Sequence, residues 1–268
     1  MSDADHNDAA RPLPSATVVL VRDGVSLPEV FLVHRHARTS FGASDVFPGG
    51  LLEPGDCKVN ARSGSLSAKT ADRCLALSTG GLDYYSAAIR ELFEEAGVLL
   101  ARKRTSGVYQ GNMAAARRQL HAGELSWRDF LEQHDLVLEC ESLHYFAYWI
   151  TPRDRPRRFS TRFFMTGLPE GQSATHDGVE LTDSRWTTAA DAIAANGSGD
   201  LALPPPTLAT LRDMQELESV NELLAWAKRR SEEGVARILP AIVRSDGRDR
   251  VVMPGHPDYP DHADRGEQ

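Results

Sequence analysis

Three carboxylates follow an arginine in the stretch Arg90-Glu91-Leu92-Phe93-Glu94-Glu95-Ala96-Gly97-Val98. On a helix advancing about 100° per residue, Glu91, Glu94 and Glu95 share one face, and Arg90 lies beside Glu94 one turn on. Ile89, Leu92, Phe93 and Ala96 point the opposite way, into a core. Acids gathered on one face repel one another and raise one another's proton affinity. A solvated helix tolerates that at small cost, and the same spacing fits a plain exposed face with an ion pair. A folded pocket needs cations instead. Hard oxygen donors suit Mg²⁺ or Mn²⁺, and Arg90 has the reach to orient a carboxylate by a forked hydrogen bond. Phe47-Pro48-Gly49-Gly50 upstream favours the pocket. Paired glycines let a backbone approach a ligand closely and present a carbonyl to a metal or amides to a phosphate.

These groups need elements to position them. Helical periodicity predicts a helix over 84–102 and one or two more within 112–134, with Ser126 as a cap before Trp127. β-branched and apolar runs predict strands at 17–21, 30–33, 145–150 and 162–166. The glycine-rich and proline-rich stretch 41–56 reads as a structured loop, and the small, polar stretch 57–83 as an excursion outside the core. Pro204-Pro205-Pro206 opens a helical segment, Ser219 and Glu222 form a capping-box pattern before another, and 235–253 adds one or two short strands. Residues 1–14 read as a disordered tail and 256–268 as a polar one, leaving a single domain over 15–255.

The chain has 268 residues, 41% hydrophobic and 25% charged, and a net charge of −8. No basic face suggests a nucleic-acid partner, and no apolar run reaches the length of a membrane span. Three scattered cysteines, Cys57, Cys74 and Cys140, argue against a disulfide framework or a zinc site. With a polar, acidic beginning unlike a signal peptide, the expected location is cytoplasmic.

The glycine loop and the acidic helix together resemble the Nudix hydrolase family. Its motif runs glycine, five residues, glutamate, seven residues, then Arg-Glu-aliphatic-x-Glu-Glu-x-Gly-aliphatic. Gly50 matches the first glycine, and Arg90, Glu91, Leu92, Glu94, Glu95, Gly97 and Val98 match the second half. Two departures stand out: Asp56 occupies the glutamate position, and residues 57–89 intervene before Arg90 where the family has seven residues. A long loop adds closure entropy only slowly, so the two halves can still meet. The insert, Leu32-Val33-His34-Arg35 with Phe41, and the segments around Trp149, Arg162 and Pro204 resemble the branch containing the mammalian peroxisomal coenzyme A diphosphatase.

The resemblance implies an α/β Nudix fold, a mixed β-sheet sandwiched between helices, with an inserted helical element around 103–140. It implies that Glu91, Glu94 and Glu95, joined by the carbonyl of Gly49, bind Mg²⁺ or Mn²⁺. Arg90 would align the acidic helix and Asp56 support it from the loop. The substrate would be a small nucleotide-type molecule, coenzyme A or acyl-CoA, cut at its diphosphate. A pyrophosphatase for ADP-ribose or NADH is the alternative within the same chemistry. A non-catalytic nucleotide-sensing module is the alternative outside it. Glu180 is the candidate general base, with a solvated strand-end acid as the other reading. Arg35 and Arg38, just before the glycine loop, are placed to meet phosphate, as are Gly50 and Asp56 within it. The arginines from Arg153 to Arg162 read mostly as a solvated loop. Many relatives pair, so a homodimer is compatible with the resemblance.

Overall fold

The computed structural model describes residues 10–35, 43–105, 107, 109, 113–178, 181–245, 247–260 and 263. The chain opens with β1 (Leu13–Arg22), β2 (Glu29–Arg35), β3 (Ser44–Val46) and β4 (Gly49–Leu51). A 3₁₀ turn at Asp56–Arg62 precedes α1 (Ala68–Cys74) and α2 (Gly81–Ala96). There follow β5 (Ala101–Lys103), α3 (Met113–His121), α4 (Trp127–Gln133), β6 (Leu136–Leu138), β7 (His144–Ile150), β8 (Phe159–Gly167) and β9 (Leu181–Thr188). The last part holds α5 (Ala189–Ser198), α6 (Pro205–Met214), α7 (Val220–Glu233), β10 (Arg237–Ile238), β11 (Ala241–Ser245) and β12 (Arg248–Val252).

The main sheet is mixed, in the order β10-β7-β8-β1-β2-β3, with β4 pairing β1 and β9 pairing β2. β1 runs parallel to β8 along its whole length, from Leu13 opposite Phe159 to Val21 opposite Gly167. That pairing carries strand structure to Leu13, so 13 and 14 belong to the sheet, not to the tail expected there. The front half of β1 pairs antiparallel with β4, where Ala16 faces Gly50. The glycine loop is thereby fixed to the centre of the sheet.

Alternation along β1 divides the core in two. Ala16, Val18 and Leu20 pack with Ile89, Leu92 and Phe93 of α2, while Val19 and Val21 pack with the side of α5, α6 and α7. Successive strand residues face opposite ways, so one run of apolar residues serves both layers. The result is a sheet between helices, the expected sandwich.

Two expectations need adjustment. The helix predicted over 84–102 spans Gly81–Ala96 and ends at Gly97, whose φ of 72° is left-handed. Its N–H bonds the Phe93 carbonyl at 2.9 Å. A Cβ at Gly97 would lie 3.2 Å from Arg117 Nη1, so the glycine also admits α3. The stretch 57–83 is not wholly an excursion: Val59, Ala71 and Leu75 enter the core beneath α2. The inserted element packs on α2 through aromatic rings, with Phe130 stacked on Phe93 at 5.4 Å and on Trp127 at 5.7 Å.

Candidate active site

Helix α2 lays its apolar face on the sheet and turns its acidic face toward the β4 loop. Arg90 sits at the join, only 3% exposed. Its Nε and Nη2 reach the two oxygens of Asp56 at 3.1 and 3.2 Å. Nη1 donates to Glu91 at 2.8 Å and Glu94 at 3.0 Å, and Nη2 also donates to the Leu51 carbonyl at 2.9 Å. A planar fork with five N–H groups suits such a hub, where a lysine's point charge would not. Burial works against the charge on Arg90, but Glu91, Asp56 and Glu94 outweigh it and raise its pKa.

Asp56 is completely buried. Besides Arg90 it accepts the Ser86 hydroxyl at 3.2 Å and the Glu53 amide at 2.8 Å. It therefore meets Arg90, supporting the acidic helix from the loop. Its shorter side chain is matched by an approach from the 3₁₀ turn directly onto the guanidinium. The Trp127 indole N–H donates to the Ser86 hydroxyl at 3.2 Å. A continuous chain thus runs from the inserted helix α4 through Ser86 and Asp56 to Arg90 and the acids. Ser86 and Trp127 were not expected in it, since a helical serine and a core tryptophan carry no motif.

The acids differ in their surroundings. Burial raises the pKa of Glu91, against the pull of Arg90. Burial likewise pushes Glu94 up to about 7, with Arg90 opposing and Glu91 adding to the rise. Glu95 is 3% exposed. It accepts the Gly49 amide at 2.8 Å on one oxygen and Arg35 Nη2 at 2.7 Å on the other. The same Arg35 nitrogen donates to the Gly49 carbonyl. Arg35 thus points into the acidic site, not outward to a phosphate. Gly50 has a different constraint: a Cβ there would fall 2.4 Å from Glu91 Oε1, so any other residue would push the Glu91 carboxylate from its place beside Arg90. Gly50 is pressed against an acid. Arg38 and Glu180 lie outside the described residues.

A second set of side chains holds the end of α2. Arg117 Nε and His121 Nε2 both reach the Glu94 carbonyl, at 2.6 and 2.9 Å. His121 also lies 3.4 Å from Asp177, whose side chain is 1% exposed. Asp177 accepts the Leu181 amide at 3.0 Å. Cations at a helix C-terminus complement its partial negative charge. Nothing in the sequence marked the group: Arg117 and His121 lie one turn apart on α3, but Glu94 and Asp177 are distant from them along the chain. Of the later arginines, Arg158 and Arg162 are buried. Arg162 lies between the rings of Tyr84 and Tyr148, at 4.3 and 4.4 Å. Both serve packing, unlike the solvated loop expected there.

The donor set suits a hard divalent cation: three carboxylates and the Gly49 carbonyl, all oxygen, gathered where β4 meets α2. Among the described residues, no three of His, Cys, Asp or Glu stand close enough together to hold an ion as they are. Arg90 and Arg35 neutralise the acids instead. No described helix is long and apolar enough to cross a membrane.

A family model for the NUDT19 Nudix domain matches residues 63–214. That span includes the acidic helix but not Gly49, Gly50 and Asp56, which the fold brings to it. The chain is 31% identical over 190 residues to the human acyl-coenzyme A diphosphatase NUDT19, a match covering 66% of this chain and 51% of that protein. It thus spans about half the length of that relative. It is 25% identical over 276 residues to the Xenopus laevis protein of the same name, covering 88% of this chain and 72% of that one. The crystal structure of a Nudix hydrolase from Alicyclobacillus acidocaldarius superposes with a TM-score of 0.69 at 24% identity. It covers 81% of this chain and 96% of that one, a likeness of fold.

Proposed function

The chain belongs to the NUDT19 Nudix domain family, and from that premise we propose that it hydrolyses the phosphoanhydride of coenzyme A or acyl-CoA. The products are 3′,5′-ADP and phosphopantetheine or its acyl form. The observation that carries the reading is the cluster in which Arg90 joins Asp56, Glu91 and Glu94 while Glu95 ties down Gly49. The names of the human and Xenopus relatives support the substrate.

Family membership implies a divalent metal, which we take to be Mg²⁺ or Mn²⁺ held by Glu91, Glu94, Glu95 and the Gly49 carbonyl. Such an ion neutralises diphosphate charge and lowers the pKa of water. The protein's own part is to keep three desolvated acids in place. Arg90 fixes the carboxylates of Glu91 and Glu94, and Asp56 and Ser86 fix Arg90. Gly50 lets the loop close on Glu91. Glu180 remains our candidate base. Arg38 is assigned to the substrate's phosphates. The three free cysteines suit a reducing, cytoplasmic setting.

A substrate panel with Mg²⁺ tests the reading: coenzyme A, acyl-CoA, ADP-ribose and NADH, with Glu94→Gln as control. Fastest turnover of the CoA species, absent in the variant, is expected. Turnover of ADP-ribose or NADH alone would keep the chemistry and reject the substrate. Binding without turnover would reject the enzyme in favour of a sensing module.

A further inference from the structure

One nitrogen of Arg35 bonds both the Glu95 carboxylate and the Gly49 carbonyl. Those are two of the four oxygen donors assigned above to the metal. Two acceptors within hydrogen-bond reach of one nitrogen also lie within reach of one small ion. A divalent ion sits about 2.0–2.6 Å from its oxygen ligands, so ion and guanidinium cannot share the place. The buried Glu95 carboxylate needs a counter-charge in either case, because a lone charge away from water is costly.

The two arginines of the site differ in how firmly they are held. Arg90 rises from the middle of α2 and its side chain is 3% exposed. Arg35 is the last residue of β2, next to a register irregularity between His34 and Arg35 in the pairing with β9. Its side chain is 21% exposed. A long, flexible side chain at a strand end, partly exposed already, has more freedom to leave than the buried Arg90 side chain.

We propose that Arg35 is a resident counter-cation, holding an ion's place between Glu95 and the Gly49 carbonyl and swinging outward when a divalent cation binds. Without the ion it pairs with Glu95 and keeps the glycine loop docked. Once released, its guanidinium becomes available to an anionic substrate, so loading the ion and readying this contact are one event. The inference rests on the metal reading above.

The test uses binding and accessibility, not turnover. Mn²⁺ titration followed by electron paramagnetic resonance compares the wild type with Arg35→Ala. The variant should bind on the order of tenfold tighter, since the ion no longer displaces an ion pair. The second measurement needs no variant: phenylglyoxal modification of Arg35 in the wild-type protein, read by peptide mass spectrometry. It should be slow in chelator and faster with Mn²⁺. Equal or weaker Mn²⁺ binding by Arg35→Ala, or labelling that Mn²⁺ leaves unchanged, overturns the displacement while the metal reading stands. If the folded wild type binds no Mn²⁺ at all, the metal reading fails and this inference falls with it.

Discussion

The two sides of the central sheet are built from different chemistry. Toward α5, α6 and α7 the packing is mainly apolar, with Val19, Leu32 and Met165 meeting Ala192, Leu211 and Leu223, and Asp45, bonded to the Ala202 amide, its buried acid. Toward α2 an equally apolar core is interrupted by Asp56, Ser86, Arg90 and Glu95, all buried. Buried charge destabilises a fold unless each group is paired and hydrogen-bonded, and even then an apolar core does as well or better. The α2 side therefore gives up stability that the other side retains. A molecule arranged this way uses one face of its sheet to stay folded and the other to act.

The sharpest attempt to break this division is Glu94→Gln. If the α2 acids serve chemistry, turnover should fall by more than the roughly 10–100-fold lost with an outer partner of a metal ligand. Stability should hold or rise, because a neutral amide is buried more easily than a carboxylate whose pKa burial has already pushed up to about 7. Thermal melting in chelator alongside kcat decides it. A large drop in melting temperature would mean that Glu94 holds the fold, and the division would fail.

A matched pair sharpens the same point. Arg90→Ala strands Asp56 without its counter-charge, a loss of about 3–5 kcal/mol. Leu211→Ala, from a fully buried position on the opposite side, should lose about 2–5 kcal/mol through a cavity. Urea unfolding would show similar costs. The kcat of the folded fraction should collapse for Arg90→Ala and stay unchanged for Leu211→Ala.

What could be read from the sequence follows the same line. The acidic face of α2 and the strands of β1, β2, β7 and β8 were legible, because they depend on local periodicity. The glycine loop was legible as a loop, yet its neighbour was not: Gly50 abuts the carboxylate of Glu91, 41 residues further along the chain. Strand β9 went unseen because its Thr, Asp, Ser and Arg residues resemble a loop, and only pairing with β2 makes it a strand. Arg117 and His121, one turn apart on α3, meet Asp177 at the end of α2 only through the fold, so no local motif announces the group. Arg35 carried the right charge in the right neighbourhood. Which anion it meets is decided by the side-chain path, which sequence does not encode locally.

The finest comparison sets two serines against each other. Ser86→Ala removes a donor from Asp56 and leaves the Trp127 indole N–H buried without its acceptor. A buried group left unsatisfied costs about 1–3 kcal/mol. Ser219 instead caps α7 on the other side, accepting the Glu222 amide at 3.2 Å. Its loss costs about 1 kcal/mol, and exposed amides can turn to water. Urea unfolding should rank Ser86→Ala at or above Ser219→Ala. The informative reading is kinetic. Ser86 is linked to the acids through Asp56 and Arg90, so its removal should lower kcat beyond what the unfolded fraction explains. Ser219→Ala should leave kcat untouched. Equal kcat for both variants would mean that the chain from α4 to Arg90 only holds the insert in place, and the α2 side would then be less devoted to chemistry than its buried charges suggest.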